Sequence, residues 1–165
     1  MTYLSNRDTM TMDMKEFAYN RKAHFEYTIL ETFEVGLVLH GFEVKSIKNG
    51  RVDLSDSYAL IKNNEAYLLN CHIYPLQPLN TPANYRPDRT RKILITKQEL
   101  KHITGKFQSE RLTLVPIKLY NKGDFIKLTL ALCKKTRKYE KREKIQKRDA
   151  EREIQRSLKT GDGGL

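Results

Sequence analysis

Residues 112–120 and 125–132 alternate apolar side chains with other types around Asn121, Lys122, Gly123 and Asp124, a pattern that commits the chain to an antiparallel hairpin and hence to a sheet. Period-two patterning recurs upstream. Residues 26–34 and 35–46 intersperse β-branched, aromatic and leucine residues with polar ones, and Gly36 and Gly41 fall where a bulge or bend fits, so two long strands are expected. A second pair, 58–61 and 66–73, flanks Lys62-Asn63-Asn64-Glu65, a hairpin connection whose asparagines tolerate positive φ. Between these pairs Asn49-Gly50 signals a turn, with room for one helical turn before it.

Pro75, Pro78, Pro82 and Pro87 exclude a central strand or helix from 74–90, leaving a long loop. Thr96 with Glu99 forms a capping-box pattern. Leu100 and Ile103 supply one apolar face, and Gly105 is the expected stop, so a short helix follows the loop. Six mainly antiparallel strands with few, short helices favour a closed or nearly closed OB-like β-barrel, because closure removes exposed edges; a small sandwich is the alternative.

The 165 residues carry a formal charge of +11. Much of it lies at one end. Lys134, Lys135, Arg137, Lys138, Lys141, Arg142, Lys144, Lys147, Arg148, Arg152, Arg156 and Lys159 face only Glu140, Glu143, Asp149, Glu151 and Glu153, a surplus of +7. Charge of this sign and density makes nucleic acid the leading partner. Three regions follow: a flexible leader over 1–19, a folded body over 20–133 and a basic tail over 134–165.

The tail lacks Gly and Pro up to Thr160 and is rich in helix formers, with Glu140–Lys144 and Glu143–Lys147 as supporting i,i+4 pairs and Gly161 marking its end. Lys144, Arg148, Arg152 and Arg156 fall four apart and repel one another. With no broad apolar stripe to dock it, the tail is expected to be disordered when free and helical once phosphates neutralise that ridge.

No run reaches the ~18 apolar residues of a membrane span, the start does not read as a signal peptide, and the tail lacks a membrane-seeking face, so a cytosolic protein is expected. Cys71 and Cys133 sit in apolar runs and read as buried thiols. Cys71 and His72 are neighbours on an expected strand and point to opposite faces, and His24, His40 and His102 show no ligand spacing. Ser55-Asp56-Ser57 lacks an elbow and a base, and Glu31, Glu34 and Glu43 are interleaved with apolar residues as outward or hydrogen-bonded groups. No enzyme, metal or cofactor is expected.

Asn20-Arg21-Lys22-Ala23, FEVGLVLHGFEVKSIKNGRVDLSDSYALI from Phe33, DRTRKILI from Asp88, LTLVPIKLY from Leu112 and YEKREKIQKRDAEREI from Tyr139 occur in order, and together they resemble the SmpB family of SsrA-binding proteins. The resemblance implies an OB-like barrel that grips the tRNA-like domain of transfer-messenger RNA (tmRNA, or SsrA RNA). With elongation factor Tu it would escort that RNA to stalled ribosomes as a monomer. It places RNA contacts at Asn20, Lys22, Glu34, Lys45, Lys48, Arg89, Arg91 and Lys92, the cations holding phosphates while Asn20 and Glu34 bond bases or sugar hydroxyls.

For the tail, it implies entry into the vacant messenger channel near the decoding centre of the 16S rRNA, through Lys134, Lys135, Arg137, Lys138, Tyr139, Glu140, Lys141, Arg142, Lys144, Arg148, Arg152 and Arg156. The chain departs from the family at several positions, of which Arg137 for Lys and Glu140 for Asp keep the charge. Lys135 and Thr136 stand where Gly-Lys is usual at the tail junction, and Arg111 stands at a usual glycine. Two other readings of the residues are a ribosomal protein whose tail penetrates rRNA and an RNA nuclease with a carboxylate-bound metal.

Overall fold

The Gly123-Asp124 turn, with Gly123 at φ +60°, joins two long paired strands of the computed structural model, which describes residues 14–160. In chain order the elements are β1 Glu16–Tyr19, α1 Arg21–Glu26, β2 Tyr27–Leu37, α2 Gly41–Lys48, β3 Val52–Asp53, β4 Tyr58–Lys62, β5 Glu65–Leu69, β6 His72–Ile73, β7 Arg91–Leu94, α3 Lys97–Ser109, β8 Thr113–Lys122, β9 Phe125–Lys135 and α4 Lys138–Thr160. A 3-10 turn spans Pro78–Asn80. Seven strands share one sheet in the order β1-β8-β4-β5-β7-β2-β9, and β9 pairs again with β8. Strands β3 and β6 pair separately.

Alternation along these strands builds the core. Val35 and Leu37 of β2, Leu68 of β5, Ile93 of β7, Leu114 and Leu119 of β8, and Leu128, Leu130 and Leu132 of β9 are buried together with Ile47 of α2 and Leu100 and Ile103 of α3. Each such side chain contributes roughly 1.5–3 kcal/mol of burial. The β8–β9 register shifts between Pro116 and Lys118, which changes the parity of β8. Val115 and Ile117, on the face opposite Leu112 and Leu114, join Ala23, Ala131 and Cys133 in a second cluster that seats α1, and past the bulge Leu119 returns to the main core.

Both expected hairpins form, with Asn63 and Asn64 at φ +52° and +56°. The capping box on Thr96 and Glu99 is present, and 74–90 holds no element beyond the 3-10 turn.

Several expectations are corrected. Residues 35–46 are not one strand: β2 ends at Leu37 and α2 begins at Gly41. The buried set Glu43, Ser46 and Ile47 has helical spacing, and Glu43 closes a capping box on His40. The run 66–73 breaks at Asn70, which takes φ +55° and divides β5 from β6. Strand β7 lies between β5 and β2, so among the described residues the main sheet holds seven strands rather than the six expected. Helix α3 continues through the exposed Gly105 to Ser109, because Phe107 packs against the core a turn later.

The leader is not wholly flexible, since β1 pairs with β8 through Glu16, Ala18 and Tyr19; residues 1–13 lie outside the described residues. Strand β9 includes Lys134 and Lys135, paired with Thr28 and Tyr27, so the free arm begins later than 134.

The arm, Lys138–Thr160, is a single helix of 23 residues. Each ridge cation has a carboxylate three or four positions away: Lys144 has Glu140, Arg148 has Glu151, Arg152 has Asp149 and Arg156 has Glu153. These pairs offset the like-charge repulsion. The expected stop at Gly161 lies outside the described residues.

Candidate nucleic-acid interface

Two of the residues expected to touch RNA are interior. Asn20 is 2% exposed; its side chain accepts from the Ala23 amide to cap α1 and donates to the carbonyls of Leu54 and Pro116. Arg91 is fully buried and donates to Glu43, to the Cys71, Arg89 and Pro87 carbonyls, and to the Tyr85 hydroxyl. Arg89 approaches the same carboxylate from β7's entry, at 2.8 and 2.5 Å, and is one-quarter exposed.

Burial would push the Glu43 carboxyl upward, but hydrogen bonds from Arg89, the His40 amide and Arg91 outweigh it and hold the group at about 2. Burial followed by the adjacent Glu43 charge pushes the Tyr85 hydroxyl up to about 12, so it stays a proton donor. This network pins the proline-rich loop to α2. Asn20 and Arg91 thus support the surface from within, and Arg89 is mostly engaged with Glu43.

The outward side of the sheet carries the exposed residues. Glu34 of β2 accepts from the Tyr120 hydroxyl at 2.5 Å and from Lys122 at 2.8 Å. Those two bonds, from Lys122 first, hold its carboxyl below the usual range. Lys118 lies 5.2 Å from the Tyr120 ring centre, and Lys127 is paired with Gly36 beside Glu34. Close approach of β7 to β2 uses Gly36, where a Cβ would meet that of Leu94 at 3.3 Å. Lys92 bonds Glu65 at 2.5 Å on this side, and Lys22 bonds Asp56 at 2.7 Å near α1. Lys118, Tyr120, Lys122 and Lys127 were not singled out from sequence; their shared face depends on the β8–β9 register and the bulge.

Lys45 and Lys48 project from the exposed side of α2, and neither forms an ion pair among the described residues. In the arm, Lys138, Tyr139, Glu140, Arg142, Lys144, Arg148, Arg152 and Arg156 are exposed, while Lys141 reaches to 5.9 Å from the Phe25 ring. The arm is anchored at its root: Thr136 is 5% exposed, its amide donates to the Glu26 carbonyl, and its hydroxyl meets that of Thr28 at 3.5 Å. Among the described residues no cluster of potential metal ligands occurs, and no helix is long and apolar enough to cross a membrane.

A β-rich body with cations on its outer face, joined to an exposed cationic helix, defines a polyanion-binding protein in which phosphate attraction and hydrogen-bonding edges are presented together. The sequence pattern of the family described as "SmpB protein" matches residues 17–160. The SsrA-binding protein of Trichodesmium erythraeum (strain IMS101) is 48% identical over 140 residues, covering 85% of this chain and 90% of that protein. That of Carboxydothermus hydrogenoformans is 49% identical over 145 residues, covering 88% and 97%. A solved structure described as "tmRNA-SmpB: a journey to the center of the bacterial ribosome" superimposes with a TM-score of 0.60 at 40% identity, covering 76% of this chain and 85% of that one. The chain belongs to the SmpB family.

Proposed function

We propose that this protein is a non-catalytic RNA adapter that binds the tRNA-like domain of tmRNA and delivers it to stalled ribosomes for trans-translation. The observation that carries the reading is the family match across both body and arm, residues 17–160, since body and arm are the two parts such an adapter needs. The pairing of β8 with β4 at Ala59–Leu114, and of β9 with both β8 and β2, supports a closed OB-like barrel as the RNA-gripping body.

In this reading Glu34, with Tyr120, Lys122 and Lys127 around it, meets unpaired or non-helical RNA, and Lys22, Lys92 and Arg89 add phosphate contacts. Lys45 and Lys48 contribute from α2. Arm α4 enters the vacant messenger channel, where its cations meet 16S rRNA and Tyr139 has a free ring for stacking. The adapter works in the cytosol as a monomer in the RNA complex, in company with elongation factor Tu.

Sequencing the RNA that co-purifies with the protein tests the proposal. Enrichment of tmRNA, and recovery with stalled rather than with all ribosomes, is the expected result. Stoichiometric recovery with washed ribosomes and no tmRNA would instead assign it to the ribosome as a structural component.

A further inference from the structure

Most cations that the family resemblance assigns to RNA are already answered by carboxylates: Lys22 by Asp56, Lys92 by Glu65, and Arg89 and Arg91 by Glu43. Lys45 and Lys48 are not. They stand three apart on α2, so their Cβ atoms are about 5–6 Å apart on one face. Each lines a different cleft. One, of about 390 Å³, is bounded by Phe42, Lys45, Leu76, Gln77 and Asn80. The other, of about 250 Å³, is bounded by Lys15, Lys48, Asn121, Asp124 and Phe125. Each therefore combines an aromatic ring, a cation and side chains able to bond a base edge.

The rings differ in a useful way. Phe42 is fixed, stacked on His40 at 5.3 Å between centroids and edge-on to Tyr85 at 4.8 Å. Phe125 is 71% exposed on the strand residue directly after the hairpin turn. An apolar ring left in water beside cations suits a flat π-surface better than a protein core. Asp124 disfavours a phosphate in the second cleft but accepts from base amino groups, which places phosphates on the helix and bases in the clefts.

We propose that α2 and its two flanking clefts hold a single-stranded segment of RNA, with successive phosphates at Lys45 and Lys48 and unpaired bases beside Phe42 and Phe125. This track shares no residue with the outer sheet face around Glu34. The inference rests on the reading of the protein as RNA-binding and specifies a further ligand class for it, unpaired nucleotides.

The test uses the full chain with a short oligoadenylate containing 2-aminopurine and, separately, a blunt RNA duplex of the same length. Binding should quench the 2-aminopurine. F125A should weaken oligoadenylate binding by roughly five- to a hundredfold, the range of a lost base–aromatic stack, and K48E should weaken it as well by reversing the charge that meets a phosphate. F125A should leave duplex affinity unchanged, and both variants should melt as the parent does, because both side chains are exposed. Undiminished oligoadenylate binding by F125A would overturn the proposal, as would an F125A variant that loses duplex affinity as much as oligoadenylate affinity. If the parent shows no quenching yet still retains its co-purifying structured RNA, this inference falls alone; if it retains no RNA, the broader reading falls with it.

Discussion

The carboxylate of Glu43 sits at zero exposure between two guanidinium groups, so its charge and theirs stand or fall together. Its value near 2 in the folded chain lies below the ordinary 4.5. The depressed group therefore contributes stability that is fully present above pH ~4.5 and is lost as pH falls toward 2, on the order of 3 kcal/mol in all. Acid titration of the melting temperature should show that loss, and E43Q should flatten it. At neutral pH E43Q strands the buried Arg91 charge and should destabilise by about 3–5 kcal/mol, read by urea unfolding. For Asn20, replacement by alanine removes a helix cap and two buried bonds to the distant Leu54 and Pro116 carbonyls, an expected cost of roughly 2–4 kcal/mol. If Asn20 shapes the RNA surface rather than touching RNA, the folded fraction of N20A should bind nearly as well as the parent. Beyond the local caps on Ala23 and His40, these partnerships are not visible in a local window: Glu43 meets arginines 46 and 48 positions away, and a lone Asn or Arg in sequence resembles a surface group until its neighbours are known.

At the level of elements, the hairpins were readable because turn chemistry and alternation are both local, as the positive φ of Asn63, Asn64 and Gly123 illustrates. The segment from Val35 to Ser46 was misread because its apolar residues satisfy a two-residue period almost as well as a helical one. Only the cap on His40 and the burial of Glu43 with Ile47 separate them. The same contest governs α4, where attraction and repulsion are both encoded at i,i+3 and i,i+4. Removing the intervening acids with D149N, E151Q and E153Q together should reduce its helicity in circular dichroism at low salt, and added salt should restore part of it by screening. Helicity indifferent to salt in that variant would show that intrinsic propensity alone sustains the helix.

Across the whole molecule, the basic surfaces predict an ionic-strength signature. If about eight phosphates are neutralised in the RNA complex, log affinity should fall against log salt with a slope of roughly −6 to −7. Deleting 137–165 should leave RNA held by the body, with a shallower slope, while abolishing rescue of stalled ribosomes; loss of RNA binding as well would move the main contact into the arm. The root at Thr136 carries a mechanical consequence. Because the Glu26 carbonyl and Thr28 grip it at the start of β2, the direction of the 23-residue helix is set by the pairing of β2 with β9. At 1.5 Å per residue that helix is about 35 Å long, so a pivot of about 10° at its root sweeps its far end through about 6 Å. A pair of threonines at the base of a boom thus determines where its tip can reach, and loosening them would scatter its aim without altering a single cation along its length.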